Sequence, residues 1–230
     1  MTAKPLLSII IPVLDEAANI VSALEALAPL GDRGAEIIVV DGGSTDGTVA
    51  LAEPRADRVL ASARGRAIQM NAGVAVARGD VLVFLHADTR LPAGADRLIL
   101  DGLAQSRRAW GRFDVLIEGT HPLLPLVAAS MNARSRLTGI ATGDQAMFVA
   151  RDAFARAGRF PEIALMEDIT LARNLKRISR PLCLSARVTT SGRRWETRGV
   201  LRTILLMWRL RLAYFLGAKP EDLARRYDPS

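Results

Sequence analysis

Cysteine is almost missing from this chain: Cys183 stands alone. That excludes an intramolecular disulfide framework and suits a reducing cytoplasm, and Cys183 reads as a small buried apolar residue instead of a reactive thiol. Aromatic residues make up only 5% of the chain, too few for the base-stacking platforms that single-stranded nucleic acid requires. Lysine occurs only at Lys4, Lys176 and Lys219 among 31 basic residues. The remaining positive charge is arginine scattered along the sequence, so the formal net charge of +7 reads as compositional bias and not as a nucleic-acid footprint. No apolar run is a good membrane span. The stretch from Leu6 to Leu14 behind a single lysine imitates a signal peptide. It ends in Asp15-Glu16 without a small-residue cleavage site and reads as the first strand of an unexported protein. No repeat, low-complexity tract or linker divides the 230 residues, half of them apolar, which suffices for one buried core.

What the chain does have is alternation. Leu7 to Val13, Glu36 to Val40, Val59 to Ala61 and Val81 to Leu85 read as short buried strands. Between them, Glu16 to Leu27, a short stretch after Asp46, and Gly65 to Ala77 have helical character. This rhythm predicts an α/β fold with a parallel sheet covered on both faces. From Trp110 the rhythm breaks. Trp110 to Glu118 alternates like a half-exposed strand, Pro122 to Leu137 reads as a helix, and Gln145 to Val149 as a further strand. Arg151 to Ala157 and Met166 to Arg177 read as helices. The expected organisation is one domain over residues 1–230, with a nucleotide-binding half (6–105), an acceptor half on a mixed sheet (106–197) and a C-terminal helical appendage (198–230).

Two acidic signatures follow apolar strands: Val39-Val-Asp-Gly-Gly-Ser-Thr-Asp-Gly47 and Phe84-Leu-His-Ala-Asp-Thr89. Both place carboxylates at the carboxyl ends of strands, where open α/β sheets bind ligands. Together with Leu7-Ser-Ile-Ile-Ile-Pro-Val-Leu-Asp-Glu16, Gly65-Arg-Ala-Ile-Gln-Met-Asn-Ala-Gly73 and Gly158-Arg-Phe-Pro-Glu-Ile-Ala-Leu-Met-Glu-Asp168, they resemble the family-two inverting glycosyltransferases of the GT-A fold. Four of these motifs agree with that family in order and spacing over residues 6–90. The phrases Gln69-Met70-Asn71, His86-Ala87-Asp88 and Met166-Glu167-Asp168-Ile169 are similar to a small subgroup described as arsenosugar-biosynthesis or radical-SAM-associated transferases.

The resemblance implies transfer of one sugar, a hexose or related unit, from a nucleotide donor such as a UDP-sugar to an acceptor hydroxyl with inversion. It implies nucleotide-sugar binding by Pro12, Glu16, Asp41, Gly65, Arg66, Asn71, His86 and Asp88. Asp41, at a strand end before two glycines, is suited to accept from the base or ribose, and the competing reading is a turn-forming aspartate. Asp46 reads as a cap or turn residue. Asp88 matches the last acid of the family's Asp-X-Asp signature, which binds Mg or Mn through oxygen; His86 departs from the pattern at the first acid. Asp168 matches the general base, the one carboxylate an inverting transferase requires, while an acid pair at a helix start also has a purely structural rationale. Asp144, Gln145, Glu167, Arg194 and Trp195 are the candidates for acceptor or diphosphate contacts. Ser191 stands where related synthases have Gln before the Arg-Trp motif, which argues against processive synthesis.

From Arg198 to Leu216 apolar residues cover most of a helical wheel, with Arg198, Arg202 and Arg209 on one stripe and Arg211 nearly opposite. Four arginines make a poor membrane-spanning helix. Packing within the protein, against a second subunit, or on a membrane surface all remain open. The competing functions are a nucleotidyltransferase, disfavoured because Pro12 to Ala17 holds neither Gly nor Lys, and a non-catalytic nucleotide-sugar-binding or membrane-associated protein, disfavoured by Asp168.

Overall fold

The computed structural model describes residues 5–227. The chain runs β1 (Leu7–Val13), α1 (Ala17–Gly31), β2 (Glu36–Asp41), α2 (Thr48–Ala52), β3 (Arg58–Ala61), α3 (Arg66–Val76), β4 (Val81–Phe84), β5 (Thr89–Arg90) and α4 (Ala95–Ser106). It continues through β6 (Trp110–Glu118), α5 (Leu124–Thr138), a 3-10 turn at Gly143–Gln145, β7 (Phe148–Ala150), α6 (Arg151–Arg156) and α7 (Glu167–Ile178). It ends with β8 (Leu182–Ser191), α8 (Arg193–Arg198), α9 (Val200–Phe215) and α10 (Pro220–Tyr227). Among the described residues no helix is long and apolar enough to cross a membrane.

The strands form one sheet in the order β3-β2-β1-β4-β7-β6-β8-β5. The first four are mutually parallel; β7 runs antiparallel to both β4 and β6, and β8 is parallel to β6. The parallel-to-mixed transition therefore falls at β4 and β7, directly beside the strand end that carries Asp88.

Two cores follow from the two-residue period of a strand. Ile9, Ile11, Val39 and Val83 face one side, with Ile20, Leu24 and Leu27 of α1 and Val127 and Met131 of α5. Ile10, Ile38, Val40, Leu82 and Phe84 face the other, with Met70 and Val74 of α3, Phe154 of α6, Leu171 and Leu175 of α7, Leu210 of α9 and Leu223 of α10. The helix α3 lies so close to the sheet that a Cβ on Gly73 would come within 2.5 Å of Ile10 Cγ2. Gln69, buried one turn earlier, donates from Nε2 to the carbonyls of Val13 and Val40, both at 2.8 Å. It thereby ties together the carboxyl ends of β1 and β2.

Two expectations change. Trp110 to Glu118 is not a half-exposed strand throughout: Trp110 to Phe113 are all buried, because β6 lies between β7 and β8 with helices over it. The strand expected from Gln145 begins only at Phe148, since Gly143–Gln145 forms the 3-10 turn and Ala146 adopts a left-handed φ of 44°. The appendage expected from residue 198 supplies Val200, Leu210 and Leu223 to the two cores; residues 228–230 lie outside the described range.

Candidate active site

Loops at the carboxyl ends of β1 and β2 lock onto each other. Asp15 accepts from the Thr45 N–H at 2.8 Å and donates its own N–H to Ser44 Oγ at 2.9 Å. Asp46 accepts from the Ala17 N–H at 2.9 Å and from the backbone and hydroxyl of Thr48, the cap and turn role expected for it. These bonds, led by the Thr48 hydroxyl, hold its carboxyl below the ordinary aspartate range. Asp41 is buried and accepts from the N–H groups of Gly43 and Ser44 and from Ser44 Oγ. Its bonds are those of the turn-forming reading. Glu16 accepts from Asn19 Nδ2 at 2.6 Å; Pro12 lies within β1 opposite Val40; Gly65, with φ 144°, starts α3. None of Pro12, Glu16, Asp41, Asp46 and Gly65 lines the main cleft, and neither do the two positions treated next.

Asn71 is one of those two. Its amide donates to the Phe160 carbonyl at 2.9 Å and accepts the Phe160 N–H at 3.2 Å, so it pins the segment that leads to α7. Gln145 is fully buried, donating to Ser135 Oγ at 3.1 Å, and shapes the 3-10 turn from below. Both side chains make these hydrogen bonds inside the fold, and neither lines the cleft.

The remaining predicted residues converge. One cleft is lined by Arg66, His86, Asp88, Asp144, Glu167, Asp168, Arg194 and Trp195, contributed by the start of α3, the loop after β4, the 3-10 turn, the start of α7 and α8. The turn can close over His86 because position 143 is glycine: a Cβ there would stand 2.6 Å from the imidazole. His86 Nδ1 lies 3.5 Å from Asp144 Oδ1. Burial would raise the Asp144 carboxyl, but the His86 hydrogen bond and the charges of Arg66 and Arg194 outweigh it and hold it low. Asp88 is half-buried, and its Oδ1 accepts from the neighbouring Thr89 hydroxyl at 3.2 Å.

The acid pair sits where the backbone is least relaxed. Met166, just before α7, has a φ of 72° although it is not glycine, a conformation that costs of order ~1 kcal/mol and turns Glu167 and Asp168 toward the cleft. Asp168 Oδ2 accepts from the Gly143 N–H at 2.9 Å and Oδ1 from the Ile169 N–H at 2.6 Å. Each oxygen keeps a second lone pair. Glu167 is buried 3.6 Å from Arg66 Nη1; burial first, and the Asp168 charge second, push its carboxyl above the ordinary range.

Sequence reasoning missed the fourth wall of the cleft. Thr203, Met207 and Arg211 of α9 and Tyr227 of α10 line it, with the Arg194 guanidinium 4.5 Å above the Tyr227 ring. Burial lowers the Arg211 pKa despite the nearby charges of Asp168 and Asp144. A signal was present in the helical wheel, where Arg211 falls apart from the other three arginines; its target lies some forty residues away and is not encoded locally.

Residues 8–161 match glycosyl transferase family 2. The mycobacterial proteins named PGL/p-HBAD biosynthesis glycosyltransferase, including that of Mycobacterium tuberculosis, are 38% identical over 96 residues, which is 39% of this chain and 38% of their own length. Among solved structures, a mannosyltransferase from Pyrobaculum calidifontis in complex with GDP-Man and Mn2+ superposes with a TM-score of 0.65 at 22% identity, covering 98% of this chain and 70% of that one. S. aureus TarS superposes with a TM-score of 0.66 at 17% identity over 81% of this chain and 60% of that one.

Proposed function

The chain belongs to glycosyl transferase family 2 and has its GT-A fold, and from that footing we propose that it moves a single sugar from a nucleotide donor to an acceptor hydroxyl with inversion. One observation carries the reading: Asp88, the Glu167-Asp168 pair, Arg66 and Arg194 meet in one cleft. Those are the groups that donor diphosphate, a metal and an acceptor proton would each require. The donor complexes of the Pyrobaculum mannosyltransferase and the UDP-GlcNAc complex of TarS are in keeping with a nucleoside-diphosphate sugar; for this chain we favour a UDP-hexose. The narrower arsenosugar-type resemblance rests on its three short phrases, since the relatives above speak for the family and not for that subgroup.

The donor set around Asp88 suits a hard divalent cation. The Asp88 carboxylate lines the cleft with Oδ1 accepting from a hydroxyl, which leaves room for diphosphate oxygens and water to complete the shell. Asp88 would hold Mg or Mn, and the ion would neutralise charge on the departing diphosphate. His86, braced by Asp144 and by the closure of the turn at Gly143, is oriented toward donor phosphate or ribose. Arg66 and Arg194 add fixed positive charge, Arg194 being steadied on the Tyr227 ring.

Asp168 takes the proton of the acceptor hydroxyl. The acceptor oxygen forms its bond to the anomeric carbon on the face away from the diphosphate, the sugar–diphosphate C–O bond breaks with its electrons on the leaving oxygen, and the configuration inverts. Glu167, driven toward its protonated form by burial and by its neighbour, is the less suited of the two to take a proton, and we give that role to Asp168. Glu16 and Asp41, at the β1 and β2 ends, serve the nucleoside, Asp41 through lone pairs that its turn bonds leave free.

The first prediction tests this reading. Nucleoside diphosphates and their sugars, screened by thermal shift with and without Mn, should raise the melting temperature for one base above the others, and more with metal, because a ligand that binds only the folded state stabilises it by mass action. In Asp88→Ala the metal-dependent part should vanish while the metal-free part remains. No response to any nucleotide, or an equal response with and without metal in the parent protein, defeats the respective half of the proposal.

A further inference from the structure

The helix α9 has two faces of opposite kind. Its inner face buries Val200, Thr203 and Leu210 and lends Thr203, Met207 and Arg211 to the cleft. Its outer face carries Leu201, Leu205, Trp208, Leu212 and Phe215, each three or four residues from the next and each more than half exposed. Such spacing places all five on one side of a helix, and a contiguous apolar stripe rimmed by charge marks an interaction surface.

Charge decides what the stripe meets. Between Glu196 and Glu221 the sequence has no acidic residue, whereas Arg198, Arg202, Arg209, Arg211 and Lys219 all fall there. Arg202 and Arg209 stand beside the stripe, and with Arg198 and Arg226 they border a cavity of about 690 Å³ whose apolar wall is Leu205 and Leu206. A second copy laid on this face would set arginines against arginines with no carboxylate on α9 to pair with them, the opposite of the flanking charges by which paired helices recognise each other. A bilayer with anionic head groups meets the same layout favourably, with phosphates at the arginines, acyl chains under the leucines, and Trp208 at the level where indole rings settle.

We propose that the outer face of α9, with the adjoining arginine-lined cavity, is a docking surface for an anionic phospholipid membrane, on which the protein lies peripherally. Docking holds the cleft roughly one helix diameter, ~10 Å, above the lipid, since the same helix forms the cleft wall on its other side.

The test uses the full chain and vesicles of phosphatidylcholine alone or mixed with phosphatidylglycerol. Sedimentation should show binding to the anionic vesicles at least roughly tenfold stronger than to the neutral ones, weakening as salt is raised. Trp208→Ser combined with Leu212→Ser, and separately Arg202→Glu combined with Arg209→Glu, should each lower that binding by about tenfold or more. Their melting temperatures should stay at the parent value, because all four side chains are exposed. No preference for anionic vesicles, or full binding by both variants, overturns the proposal. So does a parent dimer that the Trp208/Leu212 variant converts to a monomer by sedimentation velocity with vesicle binding unchanged, which would assign the stripe to a second copy. Nucleotide-induced stabilisation, measured on the same samples, reports on the transferase reading independently.

Discussion

Asp168 is held at two points, and those two bonds separate its chemical role from its structural one. Asn at 168 keeps one acceptor oxygen for two N–H donors, Gly143 and Ile169, and removes a negative charge from the first turn of α7, a loss of about 0.3–1 kcal/mol from the charge alone. A general base lost in this way lowers transfer by ~10²-fold or more. The expected outcome for Asp168→Asn is therefore a modest fall in melting temperature, near-parent nucleotide affinity and a collapse of single-turnover transfer. Transfer that falls only in proportion to stability would identify Asp168 as a clamp on the 3-10 turn. Glu167→Gln is the companion. Because burial and Asp168 already favour the neutral carboxyl, the neutral isostere should change transfer by less than about tenfold, and a loss as large as that of Asp168→Asn would exchange the two roles. At this scale Asp88, after the apolar run of β4, and Asp168, at the start of α7, were legible as cleft positions and both line it, whereas Asp41, at the end of another apolar strand, does not. The sequence was opaque where a polar side chain is consumed by the fold. Asn71 and Gln145 look like ligand contacts in one dimension, and only the positions of the Phe160 and Ser135 backbone and side chain show where their hydrogen bonds go.

Glu36 shows how the elements are fastened together. Buried at the start of β2, it accepts from Ser8 Oγ of β1 at 2.7 Å, and from the N–H and Nε of Arg78 in the loop before β4 at 2.7 and 2.8 Å, and Ser8 Oγ accepts in turn from the Gly79 N–H at 2.8 Å. Burial by itself would raise the Glu36 carboxyl, yet the Arg78 and Ser8 hydrogen bonds and the Arg78 charge prevail and its pKa is lowered. A carboxyl depressed in the folded state contributes stability that is present above its unfolded pKa and is lost as pH falls through the folded one. Unfolding free energy should accordingly decline in acid below the ordinary glutamate range of ~4.3, with a shallower decline in Glu36→Ala. At neutral pH that variant should lose about 1–3 kcal/mol, the cost of leaving buried donors unpaired, and parallel pH profiles for the two proteins would remove Glu36 from this role. Strands β1, β2 and β4 were readable because burial on both faces writes a continuous apolar run. The strand β8 was not: it shares its long pairing with β6 through a register shift at Phe113/Asp114, and its mixture of exposed and buried residues shows no clean period. Arg112, fully buried beside Asp114 and the Asn132 carbonyl, is likewise a charge that no hydropathy pattern places inside.

The whole molecule is closed by its last helices. Residue 198 onward looked separable in sequence because apolar residues cover most of the helical wheel from Arg198 to Leu216. In the structure Leu210 and Leu223 are buried in the core that also holds Ile10 and Phe84, the Arg198 guanidinium donates to the Tyr227 carbonyl at 2.6 Å, and the Thr170 and Tyr214 hydroxyls meet at 2.6 Å across α7 and α9. We accordingly propose that 198–227 is an integral wall and not an appendage. The α7 helix carries Asp168 on one side and leans on Tyr214 with another, so loosening α9 should act on the acid pair without touching it. Leu210→Ala tests this. It removes a buried side chain from α9 and should cost about 2–5 kcal/mol of stability, and because Arg211 is the next residue, transfer by the remaining folded protein should fall as well. Tyr214→Phe removes only the hydroxyl bond and should cost about 0.5–1.5 kcal/mol. If α9 positions α7, Tyr214→Phe lowers kcat with KM for the donor nearly unchanged, whereas a merely structural bond would leave kcat of the folded fraction at the parent value.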